Sequence, residues 1–84
     1  MRSIQRQALD SRALVWFRLT RYEDALKDLD AVLNAAPGTA PSRYLRGIVL
    51  SRMGRAKEGA MDLTIARQLQ PRIDMRYSKF NIQP

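Results

Sequence analysis

The chain of 84 residues has no cysteine and no histidine. Without cysteine no disulfide can staple a small core, and the usual nitrogen and sulfur ligands of a structural zinc site are missing. Without histidine, Ser42, Ser51 and Ser78 have no base to activate them as nucleophiles. Asp24 and Asp28 stand one helical turn apart, but an exposed helix face would not desolvate them, so no general acid–base pair is expected. Aromatic residues make up only 7% of the chain. Of these, Trp16 and Tyr22 read as interior positions, which makes them poor stacking platforms for bases. No apolar run approaches the ~20 residues of a membrane-spanning helix. The basic segment 1–7 is followed by no apolar stretch of signal-peptide length, and there is no phosphate-cradling glycine loop. A non-catalytic chain without cofactor or metal is expected. Its expected location is cytoplasmic, unless it is part of a longer exported protein.

What is present is mostly charge and helical patterning. Fifteen Lys and Arg against eight acids leave a net charge of +7. Such a balance draws acidic partners, nucleic acid or anionic surfaces through long-range attraction. The charge is unevenly placed: Glu23, Asp24, Asp28 and Asp30 cluster in one segment, and the segments on either side are basic. An acidic band therefore crosses a basic surface, and the simplest reading of the basic faces is solvation.

Pro37 and Pro71 stand 34 residues apart, and the residues before each follow one pattern. In that register Ala13 falls on Gly47, Thr20-Arg21 on Gly54-Arg55, Ala25 on Gly59, Leu29 on Leu63 and Val32 on Ala66. A period near 34 with small residues at fixed offsets and a closing proline is the mark of a repeated helical hairpin. Ile4, Ala8, Leu9, Ala13, Trp16, Phe17 and Leu19 recur at three- and four-residue steps, which predicts a helix over 4–19. Thr20 and Glu23 have the spacing of a capping box, which would start a second helix near Arg21 and carry it to Ala35 or Ala36. Thr39 with Pro41 opens a third helix that Gly54 closes near Met53. A fourth covers about 55–69, with Ala56, Ala60, Leu63, Ala66 and Leu69 inward. Ile73, Met75, Tyr77, Phe80 and Ile82 read as a short amphipathic fifth.

These residues resemble the tetratricopeptide repeat family. Ala13, Gly47, Ala25 and Gly59 match its small helix-crossing positions, Leu29 and Leu63 its large packing position, and Pro37 and Pro71 its terminal proline. The ending 74–82 is similar to the close of some bacterial arrays of that kind. The resemblance implies an all-α, right-handed helical-hairpin solenoid forming one domain over 1–84. Repeat one would span about 6–39, repeat two about 40–73, and a closing segment 74–84. It departs from the family where an early bulky aromatic is expected, since Leu9 and Arg43 stand there, and where Val32 replaces alanine.

The resemblance further implies a protein–protein interaction module, an adaptor or scaffold segment with a short concave peptide-binding groove. Carried over residue by residue, the lining is Gln7, Asp10, Leu14, Phe17, Arg18, Tyr44, Ile48, Ser51 and Arg52, extended by Ser78, Lys79 and Ile82. An apolar middle with Arg18, Arg52 and Lys79 around it would suit a peptide with acidic and apolar residues. Asp10, Leu14 and Tyr44 stand where a carboxylate clamp would need polar ligands, so that clamp is not expected. Two repeats make a short groove, and the same apolar residues could instead pack against the closing helix. The alternatives are a basic module binding nucleic acid or another polyanion, and a solenoid end that self-associates. Unpartnered residues of the first helix, Ile4, Ala8 and Leu9, would in that last case pair with a second copy or stack on an upstream repeat.

Overall fold

A computed structural model describes the backbone of residues 2–84 and the side chains from Leu9 onward. It has five helices: α1 (Arg2–Arg18), α2 (Tyr22–Ala35), α3 (Ala40–Arg52), α4 (Ala56–Leu69) and α5 (Ile73–Ser78). No strand is present among the described residues. Because three- and four-residue loops leave consecutive helices little freedom to separate, α1 pairs with α2 and α3 with α4 as hairpins. The two hairpins meet through α2 and α3, and α5 touches both α3 and α4.

The hairpins close where side chains are smallest. A Cβ added to Gly47 would stand 2.8 Å from the Gly59 carbonyl oxygen and 2.7 Å from Leu63 Cγ. The two glycines therefore bring the backbones of α3 and α4 into contact. In the first hairpin Ala13 and Ala25 occupy the same register positions and are fully buried. Around these crossings Leu29, Tyr44, Ile48, Val49, Ala66 and Ile73 form the core, each no more than 1% exposed.

Thr20 differs from its expected role. Its backbone is left-handed, with φ of 60°. Its N–H bonds the Phe17 carbonyl at 3.0 Å, and the Arg21 N–H bonds the Trp16 carbonyl at 2.8 Å. That bond pair is the one that ends a helix on a left-handed residue. The Thr20 hydroxyl donates to the Leu19 carbonyl at 2.6 Å, and Arg21 stands at the start of α2 without any side-chain cap. A capping threonine needs extended backbone, and the tight reversal after α1 denies it. Gly54 closes α3 in the same way, as expected, with φ of 82°. The pattern returns at Asn81, φ 59°, where the Ile82 N–H bonds the Tyr77 carbonyl at 3.2 Å. That turn sends Ile82 back into the core, 2% exposed.

Several residues expected to face inward do not. Leu19 and Leu69 are exposed at 59% and 46%, and Ala56 and Ala60 are also exposed. Met75 and Phe80 face outward on the closing segment. Leu9 and Trp16 are half-buried, and the side chains of Ile4 and Ala8 lie outside the described residues.

Candidate functional site

The anticipated groove residues lie on α1, α3 and the closing segment, and they divide into a buried centre and an open rim. Tyr44 and Ile48 are fully buried and Phe17 is 9% exposed. What covers them is the chain itself. The Tyr44 hydroxyl donates to Asp74 Oδ1 at 2.8 Å, its ring stacks on Tyr77 with centroids 5.0 Å apart, and Ile82 joins the same cluster. Burial, reinforced by the Asp74 carboxylate, pushes the Tyr44 hydroxyl well above its ordinary pKa. Asp74 is itself lowered, first by Arg67, whose Nε and Nη2 donate to it at 2.8 and 3.1 Å.

The rim stays open. Leu14 and Asp10 are half-buried and line a depression of about 160 Å³ together with Ser11, Pro41, Leu45 and Tyr77. Asp10 Oδ1 accepts from the Ser42 hydroxyl at 2.7 Å. The Ser51 hydroxyl donates to the Gly47 carbonyl at 2.9 Å and so serves its own helix. Arg18, Arg52 and Lys79 are exposed, with the Arg52 guanidinium 5.3 Å from the centre of the Phe17 ring. Ser78 is exposed and bonds the Met75 carbonyl. The Gln7 side chain lies outside the described residues.

A second feature spans both hairpins. Arg12 donates from Nε and Nη2 to the two oxygens of Asp28 at 2.8 and 2.7 Å. Thirty-four residues on, Arg46 donates from Nε and Nη2 to Asp62 at 2.6 and 3.0 Å. Each clasp ties the first helix of a hairpin to the second. In the second hairpin Arg43 Nη1 also reaches Asp62 at 3.0 Å, while Arg46 Nη1 crosses to Asp30 on α2 at 3.0 Å. Asp28 therefore does not lie on a free acidic face: it is 5% exposed. The Arg12 hydrogen bonds hold its pKa below the usual carboxylate range, against the opposing effect of burial. Arg12 and Arg46 are raised for the complementary reason, chiefly by their bonds to Asp28 and Asp62. Asp24, the other acid of that expected face, is half-buried and accepts from Arg21 Nε at 2.8 Å. Arg55 and Glu58 repeat that three-residue pair one period later.

Sequence reasoning missed the two clasps, although the signal was present. Sliding the chain by 34 residues places Arg12 on Arg46 and Asp28 on Asp62 as well as alanine on glycine. Searching the same register for paired opposite charges finds them. The outer side of the second clasp forms a depression of about 330 Å³ whose walls include Leu26, Asp30, Arg46, Met61 and Asp62. Its polar groups are already joined to one another.

No group of three or more potential metal-binding acids is present among the described residues. No helix there is long and apolar enough to cross a membrane. Comparison with protein-family models, with curated proteins and with solved structures found no match for this chain.

Proposed function

We propose that this chain is a non-catalytic protein–protein interaction module built as a tetratricopeptide-like solenoid of two helical hairpins and a closing segment. The observation that carries the reading is the doubled Arg–Asp clasp. Arg12–Asp28 and Arg46–Asp62 join the same helices of each hairpin with the same two donor nitrogens and the same 34-residue offset. Small residues at Ala13, Ala25, Gly47 and Gly59 and left-handed closures at Thr20 and Gly54 follow that register too. Repeated hairpins of this kind present extended surfaces rather than enclosed chemistry.

The working surface in this reading is the rim of the short groove, with the chain's own tail as its floor. Arg18, Arg52 and Lys79 are exposed cations of that rim and Leu14 its apolar residue, which suits an acidic peptide with apolar residues. A basic module for nucleic acid is the weaker reading, because the clasps and the short Arg–Asp and Arg–Glu pairs already engage Arg12, Arg21, Arg43, Arg46, Arg55 and Arg67.

Peptide-display selection on the intact chain tests this reading, run beside the double variant Arg18→Glu with Lys79→Glu. Both side chains are exposed, so the fold tolerates the change. Related acidic peptides are expected to enrich on the parent and not on the variant. Equal enrichment on both, or none on either, overturns the groove reading. Binding that collapses between low and physiological salt and extends to polyphosphate would favour the polyanion alternative.

A further inference from the structure

We infer that the outer face of α1, around Arg12, Val15 and Leu19, is a docking surface for an acidic amphipathic helix from outside this chain, presented as α2 is presented to α3. The inference rests on the repeat reading and adds a second surface and the chemistry of its partner.

The second hairpin supplies the template. In α3, Leu45 and Val49 are buried, at 4% and 0%, and Met53 packs partly buried against the same core. The equivalent residues one period earlier are Ser11, Val15 and Leu19. Ser11 is exposed, and Val15 and Leu19 are 54% and 59% exposed. Of the first hairpin's two helices, α2 packs more extensively on α3, and Met53 lines a depression with Leu26 and Asp30 of α2. Among the described residues, no helix stands in that place beside α1.

The charge pattern makes the same point independently. Arg46 uses all three guanidinium nitrogens: Nε and Nη2 go to Asp62 within its hairpin, and Nη1 goes back to Asp30 on the preceding helix. Arg12 holds Asp28 with the matching Nε and Nη2. Its Nη1 has no acceptor among the described residues, and its side chain is 58% exposed. The clasp fixes that guanidinium, so the spare donor is already oriented. A carboxylate placed where Asp30 lies relative to Arg46 would complete a charge-assisted bond at small entropic cost.

The two halves of the template define the partner. Leu26 and Asp30 of α2 line a depression together with Met53. The occupant is therefore a helix with an apolar residue followed four positions later by a carboxylate. A second copy stacked head to tail does not supply it. The positions of α4 that correspond to Leu26 and Asp30 are Ala60 and Thr64, which carry neither the bulk nor the charge. The chain's net charge of +7 adds long-range attraction for such an acidic helix.

The test uses the intact chain and a lactam-bridged helical peptide of the sequence Tyr22–Ala35, labelled for fluorescence anisotropy. The bridge is needed because a free 14-residue helix is only marginally formed. Saturable binding is expected, weakened at least about tenfold by Leu19→Glu in the chain and by a similar factor with Asp30→Asn in the peptide. The peptide variant leaves the protein untouched, and far-UV circular dichroism confirms that Leu19→Glu still folds. Absence of binding, or binding indifferent to both changes, overturns the proposal. So does a concentration-dependent dimer of the chain alone that Leu19→Glu abolishes, since the occupant would then be a second copy. Arg18→Glu with Lys79→Glu should weaken helix binding less than Leu19→Glu does, through the lost long-range attraction alone. If groove peptides bind and the helix does not, this proposal fails and the groove reading stands; the opposite result rejects the groove alone.

Discussion

A Cβ on Gly59 would stand 2.5 Å from the carbonyl oxygen of Gly47 and 2.5 Å from the Ser51 hydroxyl. The Gly47 oxygen is backbone, so it cannot swing aside as the Ser51 hydroxyl could. Gly59→Ala should gain about 1 kcal/mol of helix propensity and lose more to overpacking. A net loss of about 1–3 kcal/mol is expected by urea denaturation. Ala25→Gly at the matching position should also destabilise, by lost contact rather than by clash.

Thr20 gives the opposite sign. A β-branched residue at φ of 60° carries backbone strain that glycine would not. Thr20→Gly forfeits one hydroxyl bond to the Leu19 carbonyl and adds freedom to the unfolded chain. The strain relief outweighs both, so a gain of about 0.5–1 kcal/mol is expected. Gly54→Thr should lose about 1–2 kcal/mol in the same assay. Equal stability of Thr20→Gly and the parent would mean that the turn relaxes around threonine.

The two clasps should differ in strength. Asp62 is 4% exposed and receives bonds from Arg43 and Arg46, whose side chains are only 19% and 20% exposed. Asp62→Ala leaves two covered cations without their shared acceptor, and a loss of about 3 kcal/mol is expected. Asp28→Ala should cost less, because Arg12 is largely exposed and rehydrates when released. Thermal melts of the two variants, side by side, rank them.

Acid sensitivity follows from the same contacts. The carboxyl groups of Asp28 and Asp74 are both lowered in the folded chain, first by Arg12 and Arg67 respectively. At moderately acidic pH the unfolded chain therefore binds more protons at these sites than the folded one, and stability rises with pH there. Their contribution is complete above the ordinary carboxylate range and is lost as pH falls through the lowered folded values. Asp28→Asn should flatten the acid limb of a stability–pH curve while leaving its shape above neutrality unchanged.

The closing segment should contribute to stability. Ile82 is 2% exposed and sits in the cluster with Tyr44, Ile48 and Ile73. Ile82→Ala should cost about 2–4 kcal/mol and change the near-UV signal of the stacked Tyr44 and Tyr77. A stable variant with an unchanged spectrum would show that α5 holds without the residue that follows it.

The 34-residue register alone determined much of this chain: all-α class, hairpin boundaries, helix-crossing positions and the glycine that closes α3. Those features depend on spacing and side-chain size, which one dimension records. The clasps were also written there, since Arg12, Arg46, Asp28 and Asp62 keep the same period. Their burial was not, because whether an acid on a helix meets water or an arginine depends on the neighbouring helix. The tertiary structure alone decided that Tyr44 lies beneath the tail and Ile48 in the core, that Thr20 turns left-handed instead of capping, and that Val15 and Leu19 stay uncovered where Val49 and Met53 do not. Each of these outcomes turns on what lies across space from a residue, and positions 34 residues apart in the two hairpins have different neighbours.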